Sequence, residues 1–174
     1  MSDFWRNKKV LITGHTGFKG SWLTILLKSK GAKLYGISKK NSSKEKKNSL
    51  FFQSKANSLI KSSYLDICDY KSIYKKLNQI KPDIVFHLAA QPIISSAYDK
   101  PLDTFKINTL GTTNILECIK NINKIKTALM VTTNNILGEK FYMNKKNDLL
   151  DPYRVSKLSA ELITASYCKS FFKN

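Results

Sequence analysis

Short apolar runs alternate along this chain with longer stretches in which apolar residues recur at helical spacing. The apolar runs predict five strands, at 10–13, 33–37, 62–66, 83–89 and 128–132. Helical periodicity predicts helices at 18–30, 72–79, 104–120 and 152–172. Because strands and helices follow one another in turn, the pattern predicts an α/β fold, a doubly wound parallel sheet with helices on both faces.

The length and composition bound the location and the class of protein. At 174 residues the chain has room for one domain with a real core. Its longest apolar runs fall short of the ~18 residues that a membrane span requires. The first apolar run, at 10–12, is too short for the core of a signal peptide. We therefore expect a cytoplasmic protein that does not enter a membrane.

The cysteine spacing and the scarcity of arginine argue against a metal site and a nucleic-acid site. Cys68, Cys118 and Cys168 form no CxxC pair and show no metal-ligand spacing, so we expect free thiols and no metal. The net charge of +18 suggests nucleic-acid binding, but Arg6 and Arg154 are the only arginines among the 30 basic residues. Base readout favours arginine forks. We interpret the lysines as a genome-wide bias with solvated side chains, and expect no nucleic-acid partner.

Three glycines lie between the first predicted strand and the first predicted helix. Gly14, Gly17 and Gly20 form G-x-x-G-x-x-G, and glycines there permit a tight turn and close approach to a pyrophosphate. The helix N-terminus adds unpaired N–H groups. The alternative is an ordinary glycine turn. Lys19 either contacts a phosphate or is solvated, and His15 is expected to line the loop rather than do chemistry.

The ends of the second and third strands bear on the adenosine half of a dinucleotide. Gly36-Ile37-Ser38 is followed by Lys39 and Lys40, with no carboxylate for a ribose 2′-hydroxyl, so the choice between NAD and NADP stays open. Asp66, followed by Ile67, either accepts a hydrogen bond from the adenine amino group or caps a turn.

Tyr153 and Lys157 form Y-x-x-x-K at the start of the last helix. Residues four apart share one face of a helix. A nearby ammonium favours the phenolate, so we expect Lys157 to lower the pKa of Tyr153 and let it take a hydroxyl proton.

These segments together resemble the extended short-chain dehydrogenase/reductase family and, within it, the CDP-glucose 4,6-dehydratases. The similarity rests on "ITGHTGFKGSWL" at 12–23, "IVFHLAAQP" at 84–92 and "DPYRVSKLSAELI" at 151–163, with "NSLF" at 48–51 and "INTLGTTNILE" at 107–117. It implies a lyase of nucleotide-sugar and polysaccharide metabolism that uses NAD to oxidise the sugar C4 hydroxyl and then loses water across C5 and C6.

The resemblance also assigns residues. It implies a catalytic group of Thr133, Tyr153 and Lys157. It implies a cofactor site of Gly14, Thr16, Gly17, Phe18, Gly20, Asp66, Ile67, Leu88, Ala89, Ala90, Tyr153 and Lys157.

Two asparagines depart from the resemblance at the positions for acid and base. In such enzymes the threonine is followed by an aspartate that protonates the leaving hydroxyl and by a second ionisable residue for C5. Here these positions are Asn134 and Asn135, and an amide has no titratable proton. We therefore expect water loss to be impaired.

The resemblance further implies strands and a substrate-binding domain beyond the Y-x-x-x-K helix. We therefore expect residues 1–174 to form an incomplete NAD(P)-binding Rossmann domain with no second domain. Expected partners are a nucleotide sugar (CDP-glucose), a second copy paired through a four-helix bundle, and a polypeptide that supplies the remaining half. The alternatives are a catalytically reduced NAD-binding relative, either epimerase-like or a subunit of a split enzyme, and an inactive gene fragment.

Overall fold

A parallel sheet forms the centre of the molecule. The computed structural model describes residues 3–40, 42–43, 48–133 and 151–172. In these ranges five parallel strands pair in the order β3-β2-β1-β4-β5. They are β1 (Lys9–Thr13), β2 (Lys33–Ser38), β3 (Lys61–Tyr64), β4 (Ile84–His87) and β5 (Thr127–Met130). The predicted Rossmann-like α/β fold is confirmed.

Helices connect the strands and cover the sheet. The α-helices are α1 (Phe18–Ser29), α2 (Leu50–Gln53), α3 (Tyr70–Ile80), α4 (Ile94–Asp99), α5 (Pro101–Phe105), α6 (Gly111–Asn121) and α7 (Pro152–Ser170). A π-helical turn, Lys106–Leu110, joins α5 to α6, and short 3-10 helices lie at Asp3–Trp5 and Ala56–Ser58. The single helix predicted at 104–120 thus begins earlier, at Pro101, whose fixed φ suits a first helical turn, and is interrupted by the π-helical turn.

The core consists of two apolar clusters, one on each face of the sheet. Successive side chains of a strand point to opposite faces, so Leu11 of β1 joins the cluster that includes Leu77 of α3 and Ile115 of α6. Val10 and Ile12 join the other cluster, which includes Leu27 of α1 and Phe51 of α2. The sheet is therefore covered on both faces, as a doubly wound arrangement requires.

Strand β5 lies at an edge of the sheet. An apolar run such as the one at 128–132 is typical of a buried strand, but Thr127, Ala128 and Leu129 are exposed, Leu129 to 48%. The reason is that β5 pairs with β4 on one side, and no strand of the described ranges pairs with its other side. Its outer edge is open to a further strand.

Two classes of site are absent from the part of the chain that the structure describes. None of its helices combines the length and the apolar character needed to cross a membrane. It also holds no group of three or more His, Cys, Asp or Glu side chains arranged to hold a metal ion.

Candidate functional site

The carboxyl ends of the parallel strands surround a cavity of about 520 Å³. In parallel α/β sheets this edge is where ligands bind. Eleven of the residues assigned by the resemblance line it: Gly14, Thr16, Gly17, Phe18, Gly20, Ile67, Leu88, Ala89, Ala90, Tyr153 and Lys157. The sequence thus identified most of the cavity wall, and the fold brings these distant segments together.

The glycine loop between β1 and α1 packs tightly at one position and is open at another. Gly14 has φ of +71°, and a Cβ there would lie 2.8 Å from the backbone nitrogen of Ala89, so β1 and the chain after β4 approach closely. At Gly17 a Cβ would meet only the carbonyl oxygen of Gly14, at 3.3 Å. Since Gly17 lines the cavity, its bare backbone leaves room for a ligand such as a pyrophosphate.

His15 packs beneath this loop against neighbouring residues and does not line the cavity. Its ring is fully buried, its Nε2 lies 2.9 Å from the hydroxyl of Ser62 in β3, and it packs edge-on against Phe51. A Cβ at Gly36 would lie 2.6 Å from the ring nitrogen Nδ1. Burial lowers the pKa of His15 to about 4, against a smaller raising effect of the Ile37 backbone, so the ring is neutral at physiological pH. The expectation that His15 serves the loop agrees with this packing.

Asp66 caps a turn in the structure. Its Oδ1 accepts a hydrogen bond of 2.9 Å from the Cys68 amide, and its Oδ2 lies 3.4 Å from Lys39 Nζ. Partial burial would raise the pKa of Asp66, but the Cys68 hydrogen bonds and the Lys39 charge bring it below the ordinary value. Its neighbour Ile67 lines the cavity and Asp66 does not. The alternative of a turn cap therefore describes its contacts, and an adenine contact stays a prediction.

Lysines occupy the end of β2. Ser38, Lys39 and Lys40 line the cavity where a carboxylate would mark binding of an unphosphorylated ribose. Lys39 is 63% exposed in its side chain and also pairs with Asp66, so its charge is shared between solvent and that carboxylate.

Lys157 joins helix α7 to the end of β5. It is buried, and its Nζ donates a hydrogen bond of 2.7 Å to the carbonyl oxygen of Val131. Burial lowers the pKa of Lys157, as does the nearby charge of Lys19, while Glu161 raises it. The ammonium is thus held at the cavity wall with further N–H donors available to a ligand.

The expected lowering of the Tyr153 pKa is wrong in this structure. Burial raises the pKa of Tyr153, and the carboxylate of Asp151, which caps α7 by accepting from the Arg154 amide at 3.0 Å, raises it further. Sequence spacing placed Lys157 on the same face, but it could not show that the Lys157 ammonium bonds to Val131.

The strand-end residues that were expected to act on substrate are only partly described. Thr132 lines the cavity, whereas the predicted Thr133 is half-buried and does not. Asn134 and Asn135 lie outside the described residues, so their expected position stays a prediction.

Asn108 is an organising residue that the sequence did not identify. It is buried in the π-helical turn, and its amide accepts from the Gln91 backbone at 2.8 Å and donates to the Ser156 hydroxyl at 2.9 Å. Asn108 therefore ties the cavity wall after β4 to α7. The helical spacing of Asn108 with the apolar Ile115 and Ile119 was the available signal, because a buried amide requires partners.

Comparison with known proteins agrees with the sequence resemblance. A family model described as GDP-mannose 4,6 dehydratase matches residues 11–172. The CDP-glucose 4,6-dehydratase of Salmonella typhimurium is 35% identical over 175 aligned residues, which cover 98% of this chain and 48% of that enzyme. The predicted similarity to nucleotide-sugar dehydratases is confirmed.

Solved structures match the same part of the fold. An epimerase from Methanothermobacter thermautotrophicus superposes with a TM-score of 0.79 at 27% identity, covering 97% of this chain and 50% of that one. A Bordetella bronchiseptica enzyme in complex with NAD+ and UDP gives 0.75 at 22% identity, covering 98% and 48%, a likeness that shows the fold. The chain spans about half the length of the proteins it matches.

Proposed function

Since the chain belongs to the GDP-mannose 4,6-dehydratase family, we propose that it is the cofactor-binding half of a nucleotide-sugar 4,6-dehydratase. We propose NAD as its cofactor and CDP-glucose as its substrate. The 35% identity to a CDP-glucose 4,6-dehydratase favours this sugar nucleotide. The NAD+ in the structurally similar Bordetella enzyme favours the cofactor.

The observation that carries the proposal is the open backbone of Gly17 in the cavity wall. A dinucleotide-binding site needs backbone without side chains at the pyrophosphate, unpaired N–H groups that can bind the phosphates, and an apolar surface beside them. The described residues fit each requirement: Gly17 leaves the space, α1 begins at Phe18, and Ile67, Leu88 and Ala89 supply apolar wall.

Bound NAD would supply the hydride acceptor for the sugar C4. In the proposed reaction Tyr153 accepts the proton of the C4 hydroxyl, and Lys157 holds a positive charge beside it. Burial and the carboxylate of Asp151 raise the pKa of Tyr153, so added positive charge would favour loss of its proton. The positively charged nicotinamide ring of NAD would supply that charge. Asn134 and Asn135 could orient the substrate but could not transfer protons, so we propose that water loss is impaired.

Calorimetric titration of the chain with NAD, and with NADP in parallel, tests the cofactor assignment. We expect NAD to bind. Because the lysines at the end of β2 could contact a 2′-phosphate, the parallel titration shows whether NADP binds as well. A chain that binds neither dinucleotide would contradict the proposal. The substrate assignment is tested with CDP-glucose and, separately, with GDP-mannose. Each reaction also contains a polypeptide that corresponds to the half of the related enzymes to which this chain does not align. NADH absorbance should appear with CDP-glucose.

A second candidate function is supported by the two asparagines and by the epimerase match. Oxidation at C4 without loss of water is chemistry that a catalytically reduced, epimerase-like relative or a subunit of a split enzyme could perform. In the split arrangement, a strand from a partner polypeptide could extend the sheet at the exposed edge of β5. Absence of dinucleotide binding in the same titration would favour the inactive fragment over both functions.

We further propose that two copies pair through α5, α6 and α7. Leu102 and Leu162 are 79% and 58% exposed on these helices, so their apolar side chains are available for a second copy to cover.

Replacing Leu162 by glutamate should convert a dimer to monomer, because a carboxylate buried in an apolar interface would lose its hydration. Light scattering measures the mass. The matched control is Leu26→Glu, since Leu26 is 55% exposed on α1, at the opposite face of the sheet, and should leave the mass unchanged. A wild-type monomer, or equal effects of both substitutions, would contradict the proposal.

A further inference from the structure

His87 is a buried histidine to which the proposed reaction assigns no role. It ends β4, next to the cavity-lining Leu88 and Ala89, and is 3% exposed. Both ring nitrogens contact a threonine hydroxyl: Nδ1 lies 2.7 Å from Thr13 Oγ1, and Nε2 lies 3.1 Å from Thr112 Oγ1.

The neighbouring hydrogen bonds determine which nitrogen carries the proton. The Thr112 hydroxyl donates to the Asn108 carbonyl at 2.6 Å, so its oxygen is left to accept from Nε2–H of His87. Thr13 Oγ1 accepts from the Ala89 amide at 3.2 Å and can give its own proton to Nδ1. The neutral Nε2–H tautomer therefore satisfies every group, whereas a proton on Nδ1 would leave the Thr13 hydroxyl proton facing another donor.

The chain of hydrogen bonds continues to helix α7. The Asn108 side chain donates to Ser156 Oγ at 2.9 Å, and Ser156 Oγ in turn donates to the Tyr153 carbonyl at 2.7 Å. A buried path thus runs from the Ala89 amide through His87 and Asn108 to the backbone of Tyr153.

We propose that His87 is a positioning residue that fixes the cofactor-facing backbone at Ala89 relative to Tyr153 on α7. The inference rests on the proposed function, because that function makes the Ala89 backbone part of the cofactor site and Tyr153 the proton acceptor. The ring must stay neutral for this role, since a second ring proton would again face the Thr13 hydroxyl. Burial and, to a smaller extent, the charge of Lys157 lower the pKa of His87 to about 3.

Nitrogen NMR of histidine-labelled protein tests the tautomer directly, because the chain holds two histidines, His15 and His87. We expect a protonated Nε2 and an unprotonated Nδ1 for His87, with no titration from pH 8 down to about pH 5. A protonated Nδ1, or a ring that titrates near its ordinary pKa, would overturn the proposal. The spectrum requires no bound cofactor.

Replacement of Thr112 by valine removes the acceptor of the Nε2 proton at nearly constant shape. The matched control is Thr113→Val, since the Thr113 hydroxyl donates to the Thr109 carbonyl at 2.9 Å, a local bond outside the path through His87. Thr112→Val should shift the His87 nitrogens and the Ala89 amide and weaken NAD binding about three- to tenfold, the effect of one hydrogen bond. Thr113→Val should change none of these.

The outcomes separate this inference from the proposed function. Shifts in the His87 and Ala89 signals without a loss of NAD affinity would overturn the positioning role. Equal effects of the two valines would overturn it too, since they would reflect helix stability alone. A wild-type chain with the expected tautomer that binds no dinucleotide would instead refute the proposed function, and the positioning role would fall with it.

Discussion

Valine in place of Gly17 is expected to abolish NAD binding and leave the fold intact. The backbone of Gly17 has φ of −77° and ψ of 172°, an extended conformation that any residue adopts. A Cβ would meet one protein atom, at 3.3 Å, so the cost to the fold is small. The two methyl groups would occupy the space proposed for the pyrophosphate. Calorimetry measures the affinity, and thermal unfolding measures the stability.

Two further substitutions calibrate the Gly17 experiment. Gly17→Ala should weaken binding by about 10- to 100-fold, which corresponds to the ~1–3 kcal/mol typical of an overpacked contact. Ser29→Val adds a β-branched side chain at the exposed far end of the same helix and should leave the affinity unchanged. NAD affinity that is equal in Gly17→Val and wild type would refute the assignment of this loop to the pyrophosphate.

Restoring ionisable side chains at positions 134 and 135 is expected to raise water loss by a large factor. Each proton transfer by a positioned side chain contributes about 10²–10⁴-fold, and an asparagine supplies none. With CDP-glucose and a polypeptide that supplies the unmatched half of the relatives, the wild-type chain should form little 4-keto-6-deoxy product. Asn134→Asp combined with Asn135→Lys should form much more. NAD affinity should change little, because the glycine loop is untouched.

The single substitutions and a charge-matched control complete this experiment. Because the acid and the base act in one process, Asn134→Asp alone should raise the rate of water loss by less than would be expected if the two substitutions contributed independently. Asn78→Asp places the same carboxylate on the exposed surface of α3 and should leave turnover unchanged. Normal dehydratase turnover with both asparagines in place would mean that the proton donor lies elsewhere, and the interpretation of these residues would be wrong.

The sheet could be predicted from sequence because its information is local. The central strands are continuous apolar runs, and the three residues Val10, Leu11 and Ile12 of β1 are each fully buried. Helices α2 and α4 were not predicted, since their four and six residues are too few to establish a helical period. The exposure of β5 was not predictable from its apolar sequence, because burial of a strand depends on which elements pair with it.

The sequence predicted which residues line the cavity better than it predicted the pKa values and orientations of their side chains. Gly14, Gly17 and Gly20 follow a spacing with a direct physical meaning, so their place at the passage from β1 into the start of α1 could be predicted from the sequence. The pKa of Tyr153 depends on burial and on Asp151, and the orientation of Lys157 depends on Val131, 26 residues away. Such non-local contacts leave no signal in a four-residue motif.

The packing of His15 against Gly36 links two positions that are 21 residues apart in the sequence. A Cβ at Gly36 would lie 2.6 Å from Nδ1 of the His15 ring, so position 36 cannot gain a side chain while the ring stays in place. Among relatives, a side chain at the position of Gly36 should therefore occur together with a residue smaller than histidine at the position of His15. The glycine loop and the end of β2, which would hold opposite ends of the adenosine diphosphate moiety, are thereby constrained to evolve as a pair.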